Sequence, residues 1–278
     1  MKFVEQIYGL LVNRVPEISM QYQAYRKKVH GVKRSLAWIY LMKLNMEYSM
    51  GKRRWNTDSL LYTKKILDMP TSESSLSKRE DPKELARQLS KYDVISFDVF
   101  DTLILRPFSK PTDLFFYAGA ELGYLDFERI RIEIEQLSRK KKIKKSGTKE
   151  VTFEEIWHEM EQETGIPMEK GMSVEWECEQ KYCFANPYML EVVRELERLN
   201  RTFIVISDMY FGESYIRKLL NQNGINNFTD CFVSCDHGKS KGEGSLYDLV
   251  KKRFGKKKKY VHIGDNEYSD FRQARNKG

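Results

Sequence analysis

Short apolar runs that end in polar residues, with helical stretches between them, most tightly limit how this chain can fold. Val94-Ile95-Ser96-Phe97 runs into Asp98, Phe203-Ile204-Val205-Ile206 into Ser207-Asp208, and Tyr260-Val261-His262-Ile263 into Gly264-Asp265. Phe232-Val233-Ser234 is a shorter fourth run. Such runs, without polar alternation, read as strands buried on both faces. Strands that alternate with helices build βαβ units and hence a parallel sheet. In open α/β sheets the ligand lies at the carboxyl ends of the strands, which makes Asp98 a place for chemistry. One Asp after a strand is a weak signal by itself, because turn residues collect there.

The helices between the runs carry their own signals. Asp81-Pro82 opens one in the N-cap and N1 manner. Pro187 to Asn200, Ser214 to Asn223 (closed by Gly224) and Leu246 to Phe254 follow the same logic. From Lys110 to about Asn186 the patterns are all helical: Pro111 to Leu122, Asp126 to Lys142, Thr152 to Thr164 and Met168 to about Phe184. Thr152 and Glu155 stand at capping-box spacing. This stretch is expected to form a separate helical lobe with no strand of its own.

Charge separates the N-terminal quarter from the remainder. Of 48 Lys/Arg and 40 Asp/Glu, residues 1–69 hold 13 and 5, which leaves 35 of each for residues 70–278. The main domain is therefore neutral, and the basic excess lends no support to nucleic-acid binding. Phe3, Ile7, Leu10 and Leu11 share a helical face that Pro16 is expected to end or kink. Leu36 to Met50 is apolar over much of its circumference, with Trp38, Ile39, Leu41, Met42, Leu44 and Met46. Arg26-Lys27-Lys28, Lys33-Arg34 and Lys52-Arg53-Arg54 flank it. Two readings stay open: an appendage packed on the main domain with solvated lysines, or a helix that lies on an anionic membrane surface or docks a partner.

The four cysteines form no CxxC pair, and the four histidines lack zinc-type spacing. No apolar run approaches the ~20 residues that span a bilayer, and Glu5 falls inside what would be the apolar core of a signal peptide. A reduced, cytoplasmic protein is expected.

Asp98, Ser207, Lys241 and Asp265, with Asp270 five residues on, occur in that order at strand ends or in nearby loops. The set suits phosphoryl transfer. A carboxylate that attacks phosphorus forms an aspartyl-phosphate and splits one hard displacement into two. Attack of one anion on another needs cations, which a divalent metal and a lysine provide. A hydroxyl and backbone N–H groups hold the remaining phosphoryl oxygens.

In this order the residues resemble the four motifs of the haloacid dehalogenase-like (HAD) hydrolase superfamily, over roughly residues 92–278. Asp98-Val99-Phe100-Asp101-Thr102-Leu103 resembles the first motif and Val205-Ile206-Ser207-Asp208-Met209-Tyr210 the second. Lys241-Gly242-Glu243-Gly244-Ser245-Leu246-Tyr247 resembles the third, and His262-Ile263-Gly264-Asp265-Asn266 through Asp270 the fourth. The resemblance implies an α/β fold: a Rossmann-like HAD core (82–109 and 187–278) with a parallel sheet and a helical C1-type cap (110–186). To these are added an N-terminal helical appendage (1–70) and a polar, Ser-rich linker (71–81). It implies Asp98 as nucleophile and magnesium ligand, the backbone carbonyl of Phe100 as a further ligand, and Asp265 as the acidic ligand of the fourth motif. Asp270 would be a second ligand or an orienting group, Ser207 would bind the phosphoryl group, and Lys241 would stabilise its charge. Lys239 is a rival to Lys241, but only Lys241 has the family's spacing before Gly244 and Leu246. Mg²⁺ suits such an all-oxygen site that keeps several waters. The implied substrate is a small phosphorylated metabolite. Similarity to HAD domains that accompany bacterial surface-polysaccharide glycosyltransferases points to a sugar phosphate or nucleotide sugar, and to a glycosyltransferase or membrane partner for residues 1–69.

The sequence departs from the family pattern in two places. Family phosphatases usually carry, two residues after the nucleophile, an Asp that acts as general acid and base; here Phe100 stands there. Asp101 occupies a position that is usually Gly, and in an extended segment it points away from the face of residues 98 and 100, so a turn-capping role is expected. Loss of a general acid costs ~10²–10⁴ in rate, against enzymatic accelerations of ~10⁶ to ~10²¹. Turnover is therefore expected on leaving groups that need no proton, such as acyl phosphates, anomeric phosphates and nucleoside-diphosphate conjugates. True dehalogenases also carry an aromatic residue there, but not a motif like Gly264-Asp265-Asn266, which favours phosphoryl chemistry. The alternative is a degenerate HAD domain that serves as a binding or regulatory module, docked through residues 1–69. The second departure is that the family adds a strand after its fourth motif, whereas this sequence stops at Gly278. Either the sheet lacks an edge strand or the sequence is a fragment.

Overall fold

The computed structural model describes residues 11–12, 15–29, 31–52 and 79–278. Two compact units divide between Lys78 and Arg79. In the first, α1 (Pro16–Lys28) and α2 (Ala37–Ser49) pack through Ile18, Tyr22, Ala37, Leu41 and Leu44. Pro16 opens α1. At the first turn its missing N–H is one that has no helical partner anyway, and its fixed φ suits the start. The face expected for Phe3, Ile7 and Leu10 and most of the 71–81 linker lie outside the described residues. Among the described residues no helix is long and apolar enough to cross a membrane.

In the second unit α3 (Pro82–Leu89) is capped by Asp81, whose carboxylate accepts the Lys83 N–H at 2.8 Å. It leads into β1 (Val94–Phe97), followed by the short β2 (Ile104–Leu105). Four helices come next: α4 (Leu114–Leu122), α5 (Phe127–Ser146), α6 (Phe153–Thr164) and α7 (Met168–Tyr182). The chain continues through β3 (Phe184–Ala185), α8 (Pro187–Arg198), β4 (Phe203–Ser207), α9 (Glu213–Gln222), β5 (Phe228–Val233), α10 (Ser245–Phe254) and β6 (Tyr260–Ile263).

β5-β4-β1-β6 form one parallel sheet. Alternate residues of each inner strand serve different layers. Ile95, Phe97, Phe203 and Val205 join the large core with Leu103, Trp157 and Phe211, while Val94, Ile204 and Ile206 pack with Leu246 and Val250 on the other face. Burial on both faces is why these strands read as unbroken apolar runs. Phe97 is level with Val205 on one side and Ile263 on the other. The residues that follow (Asp98, Ser207 and Asp265) therefore emerge at one end of the sheet.

The lobe between residues 110 and 186 is helical, with one exception to the expectation. β3 lies inside it and pairs antiparallel with β2, Ile104 opposite Ala185 and Leu105 opposite Phe184. A two-residue strand is too short to carry a periodic signal. Thr152 and Glu155 form the capping box: Thr152 Oγ1 accepts the Glu155 N–H, and the Glu155 carboxylate accepts the Thr152 N–H. β5 starts at Phe228, four residues before the expected strand. It is an edge strand, and Asp230 on it faces Arg253 at 3.6 Å, so its first half carries polar residues.

Candidate active site

The end of β1 positions Asp98. Its backbone N–H donates to the Ile263 carbonyl at 2.8 Å, which extends the β1–β6 ladder by one residue. The residue is only 6% exposed. Lys241 Nζ lies 2.5 Å from Asp98 Oδ1 and 2.6 Å from Asp270 Oδ1, so one buried ammonium bridges two buried carboxylates. Lys239 is exposed.

Asp208 holds Lys241 in place. Its carboxylate accepts the backbone N–H of Lys241 at 2.7 Å and that of Gly242 at 3.2 Å. Sequence reasoning missed this clamp. Asp208 lies beside Ser207 in the second motif, but its partners are 33 and 34 residues away. Ser207 itself ends β4, buried, one strand across from Asp98.

Besides Lys241, His262 and Asn266 hold Asp270. His262 Nε2 lies 3.2 Å from Oδ1, and the Asn266 N–H donates to Oδ2 at 3.1 Å. His262 Nδ1 lies 2.9 Å from the Ser96 hydroxyl. The Asn266 side chain accepts from the N–H groups of Tyr268 and Ser269 and so caps the π-helical segment Glu267–Gln273 that carries Asp270. Gly264 makes the arrangement sterically allowed, because a Cβ there would collide with the Asp270 carboxyl group. His262 was another omission of the sequence reading; its place in β6 gave it the look of an ordinary strand residue.

The electrostatics follow from this packing. Burial pushes the Asp98 carboxyl up to about 6; Lys241 opposes the rise and Asp270 adds to it. Burial also acts against the ionised forms of Asp270 and Lys241, but their partners outweigh it. His262 and Lys241 hold the Asp270 carboxyl below its ordinary value, and Asp98 and Asp270 hold the Lys241 ammonium above the usual lysine value. Burial lowers the His262 imidazole and raises the Asp265 carboxyl. These directions favour an ionised Asp270 beside a charged Lys241 and a neutral His262, with burial working against the ionised form of Asp98.

Asp98, Asp265 and Asp270 each offer a carboxylate oxygen, and these oxygens lie within 4.8 Å of one another. Two of the residues are buried and Asp265 is exposed, so the group opens to solvent on one side. Three hard oxygen donors with room for water fit a magnesium ion better than a soft metal.

Phe100 fills the position two residues beyond Asp98. Its ring lies 4.0 Å under the Arg106 guanidinium, and Arg106 is paired with Glu179 of α7 through two contacts at 3.0 and 3.2 Å. Asp101 corrects the expectation of an extended segment. It has φ +58°, its N–H donates to the Ile104 carbonyl at 2.7 Å, and it is exposed. It is a turn residue in the left-handed region, which Asp tolerates better than most. The alternation argument does not apply there, and the Asp101 charge is among those that raise the Asp265 carboxyl.

Two buried links join the helical lobe to the segment after Ser207. Tyr210 donates to Glu175 at 3.3 Å; Glu175 is paired with the fully buried Arg131 and also accepts the Trp157 indole N–H at 2.9 Å. The Ser234 hydroxyl donates to Glu150 at 2.7 Å and accepts the Met209 N–H at 3.0 Å. A cavity of about 410 Å³ is lined by Ser96, His262 and Asp270 but not by Asp98 or Ser207, so it lies beside Asp98 and not over it.

Comparison with solved structures shows the same architecture. A 2-haloacid dehalogenase from Pseudomonas syringae pv. Tomato matches at TM-score 0.50 and 15% identity, over 67% of this chain and 84% of that one. The fold is haloacid dehalogenase-like. A HAD phosphatase from Thermococcus onnurineus matches at TM-score 0.43 and 16% identity, over 66% of this chain and 82% of that one. No family model and no curated protein matches the sequence.

Proposed function

We propose that the chain is a Mg²⁺-dependent phosphohydrolase or phosphotransferase of the HAD superfamily that acts on a small phosphorylated metabolite. The observation that carries this reading is the convergence of Asp98, Asp265 and Asp270 within 4.8 Å, beside the Lys241 ammonium, at the carboxyl end of a parallel sheet. Bound there, Mg²⁺ would neutralise charge on the phosphoryl group and on the carboxylates around it. An Asp98 oxygen attacks phosphorus, the bond to the leaving group breaks, and the leaving group departs with its electron pair. Water then attacks phosphorus, which releases phosphate and restores the Asp98 carboxylate. Lys241 offsets negative charge at the attacked group, and Ser207 and the N–H groups after β1 hold its oxygens. Phe100 offers no proton to the departing oxygen. That selects substrates with a good leaving group, such as acyl or anomeric phosphates or a nucleotide sugar. The helical lobe of residues 110–186 acts as a C1-type cap over the site, and the substrate belongs to surface-polysaccharide synthesis.

A second reading, a binding module without turnover, is favoured by one observation: Phe100, held under Arg106, leaves no acid at that position. Displacement of halide from carbon uses a carboxylate nucleophile but has no need of three converging carboxylates, which weighs against dehalogenation.

Phosphate release with Mg²⁺ discriminates among these. The account expects turnover of acetyl phosphate and p-nitrophenyl phosphate, at least ~10²-fold weaker turnover of an alkyl sugar phosphate, and loss of all of it in Asp98→Asn. Turnover that survives Asp98→Asn overturns the nucleophile assignment, and absence of turnover on every substrate favours the binding module.

A further inference from the structure

We infer that the N-terminal helical unit is a docking device for an anionic lipid surface, an inference independent of the chemistry proposed for the second unit. Its apolar residues divide into two opposed sets. Ala37, Leu41 and Leu44 are buried against α1. Leu36, Ile39, Met42, Met46 and Met50 recur at spacings of three and four, which places them on one stripe of the helix surface. That stripe is turned about half a revolution from the buried set, at the helical advance of ~100° per residue. It is open to solvent: Ile39 is 53% exposed, Met46 59% and Met50 71%, with Trp38 beside them at 57%. A helix apolar on both faces normally has something on both. Among the described residues, α1 covers one of them.

Charge identifies the other occupant. Residues 26–54 contain nine Lys/Arg and a single acid, Glu47, an excess of eight that equals the net charge of the whole chain. Lys33 and Arg34 are exposed at the start of the stripe, and Lys43 lies within it with its side chain 63% exposed. An aliphatic stripe with an interfacial Trp and basic residues around it matches a surface that is hydrocarbon beneath and anionic at its boundary. A nucleic acid would meet the charge but would not bury the Ile and Met side chains. α2 has 13 residues, about 20 Å in length. That is too short to span the ~30 Å hydrocarbon core but long enough to lie along its boundary.

Flotation of the full chain with vesicles tests this. Vesicles of phosphatidylcholine with about 30% phosphatidylserine should bind at least ~10-fold more tightly than phosphatidylcholine alone, with binding lost in high salt. Ile39→Ser/Met42→Ser and Lys33→Glu/Arg34→Glu should each weaken binding at least ~10-fold, with an unchanged melting temperature as the folding control, since all four side chains are exposed. Equal binding to both vesicle types, binding unaffected by either double variant, or no binding at all overturns the inference. So does a stable dimer that Ile39→Ser/Met42→Ser dissociates without any vesicle binding, since a second copy would then cover the stripe.

Discussion

The Arg106 guanidinium lies 4.0 Å from the centre of the Phe100 ring, with Glu179 holding it on its other edge. Phe100 is thus braced by an ion pair at the stem of the helical lobe. The two contacts differ in weight. Phe100→Leu keeps most of the volume and loses the ring face, at a cost of about 1 kcal/mol. Arg106→Ala strands a buried Glu179 carboxylate, at a cost of about 3–5 kcal/mol. Urea unfolding should rank Arg106→Ala well above Phe100→Leu; equal effects would contradict the bracing.

Gly264 matters for the space it leaves to Asp270. Gly264→Ala forces the Asp270 carboxyl or the backbone to shift. Displacement of a group by ~1 Å in a reacting site costs on the order of 10²-fold. The expected result is a loss of that size in kcat/KM for acetyl phosphate, together with weaker Mg²⁺ stabilisation in a thermal melt. Wild-type values for both would show that Asp270 need not stand where it does.

Asp208 contributes through the backbone of the Lys241 loop. In Asp208→Asn one oxygen still accepts an N–H, while the amide NH₂ faces the second donor. Because Asp208 is exposed, the stability loss should stay near 1 kcal/mol. The rate should nevertheless fall ~10-fold or more, because Lys241 is no longer aimed. A stability loss without a rate loss would make Asp208 structural only.

Glu150 gives the contact between the helical lobe and the sheet-bearing core a pH dependence. Burial raises its carboxyl above the ordinary value, against the Ser234 hydroxyl that donates to it. A carboxyl raised in the folded state contributes stability below its unfolded pKa and loses it as pH rises through the folded one. Glu150→Gln removes that titration. The variant should therefore be more stable than the wild type at pH 8, with the difference shrinking toward pH 4. Urea midpoints at the two pH values decide it, and a difference of constant size would rule out the titration as its cause.

What could be read from the residues alone follows from distance along the chain. β1 and β4 announced themselves because strands buried on both faces are largely apolar, and β6 carries a similar run although it lies at the end of the sheet and is only half-buried. Asp98, Ser207 and Asp265 stand at or just beyond the ends of the three. The capping box of α6 is likewise local. Residues whose work depends on remote partners were not legible: Asp208 with Lys241, Arg106 with Phe100 and Glu179, and Arg131 with Glu175, 44 residues apart. No period marks such pairs. For Asp101 the turn role was legible, but the side-chain alternation argument behind it does not hold. Side-chain alternation holds only in extended backbone, and the chain leaves that conformation immediately after β1.

The most direct test of the central claim is the mass of the protein after rapid acid quench during turnover of acetyl phosphate with Mg²⁺. The account predicts the addition of one phosphoryl group, located by fragmentation on Asp98 and absent in Asp98→Asn. Phosphate release with the label on any other residue, or sustained turnover in Asp98→Asn, would contradict it.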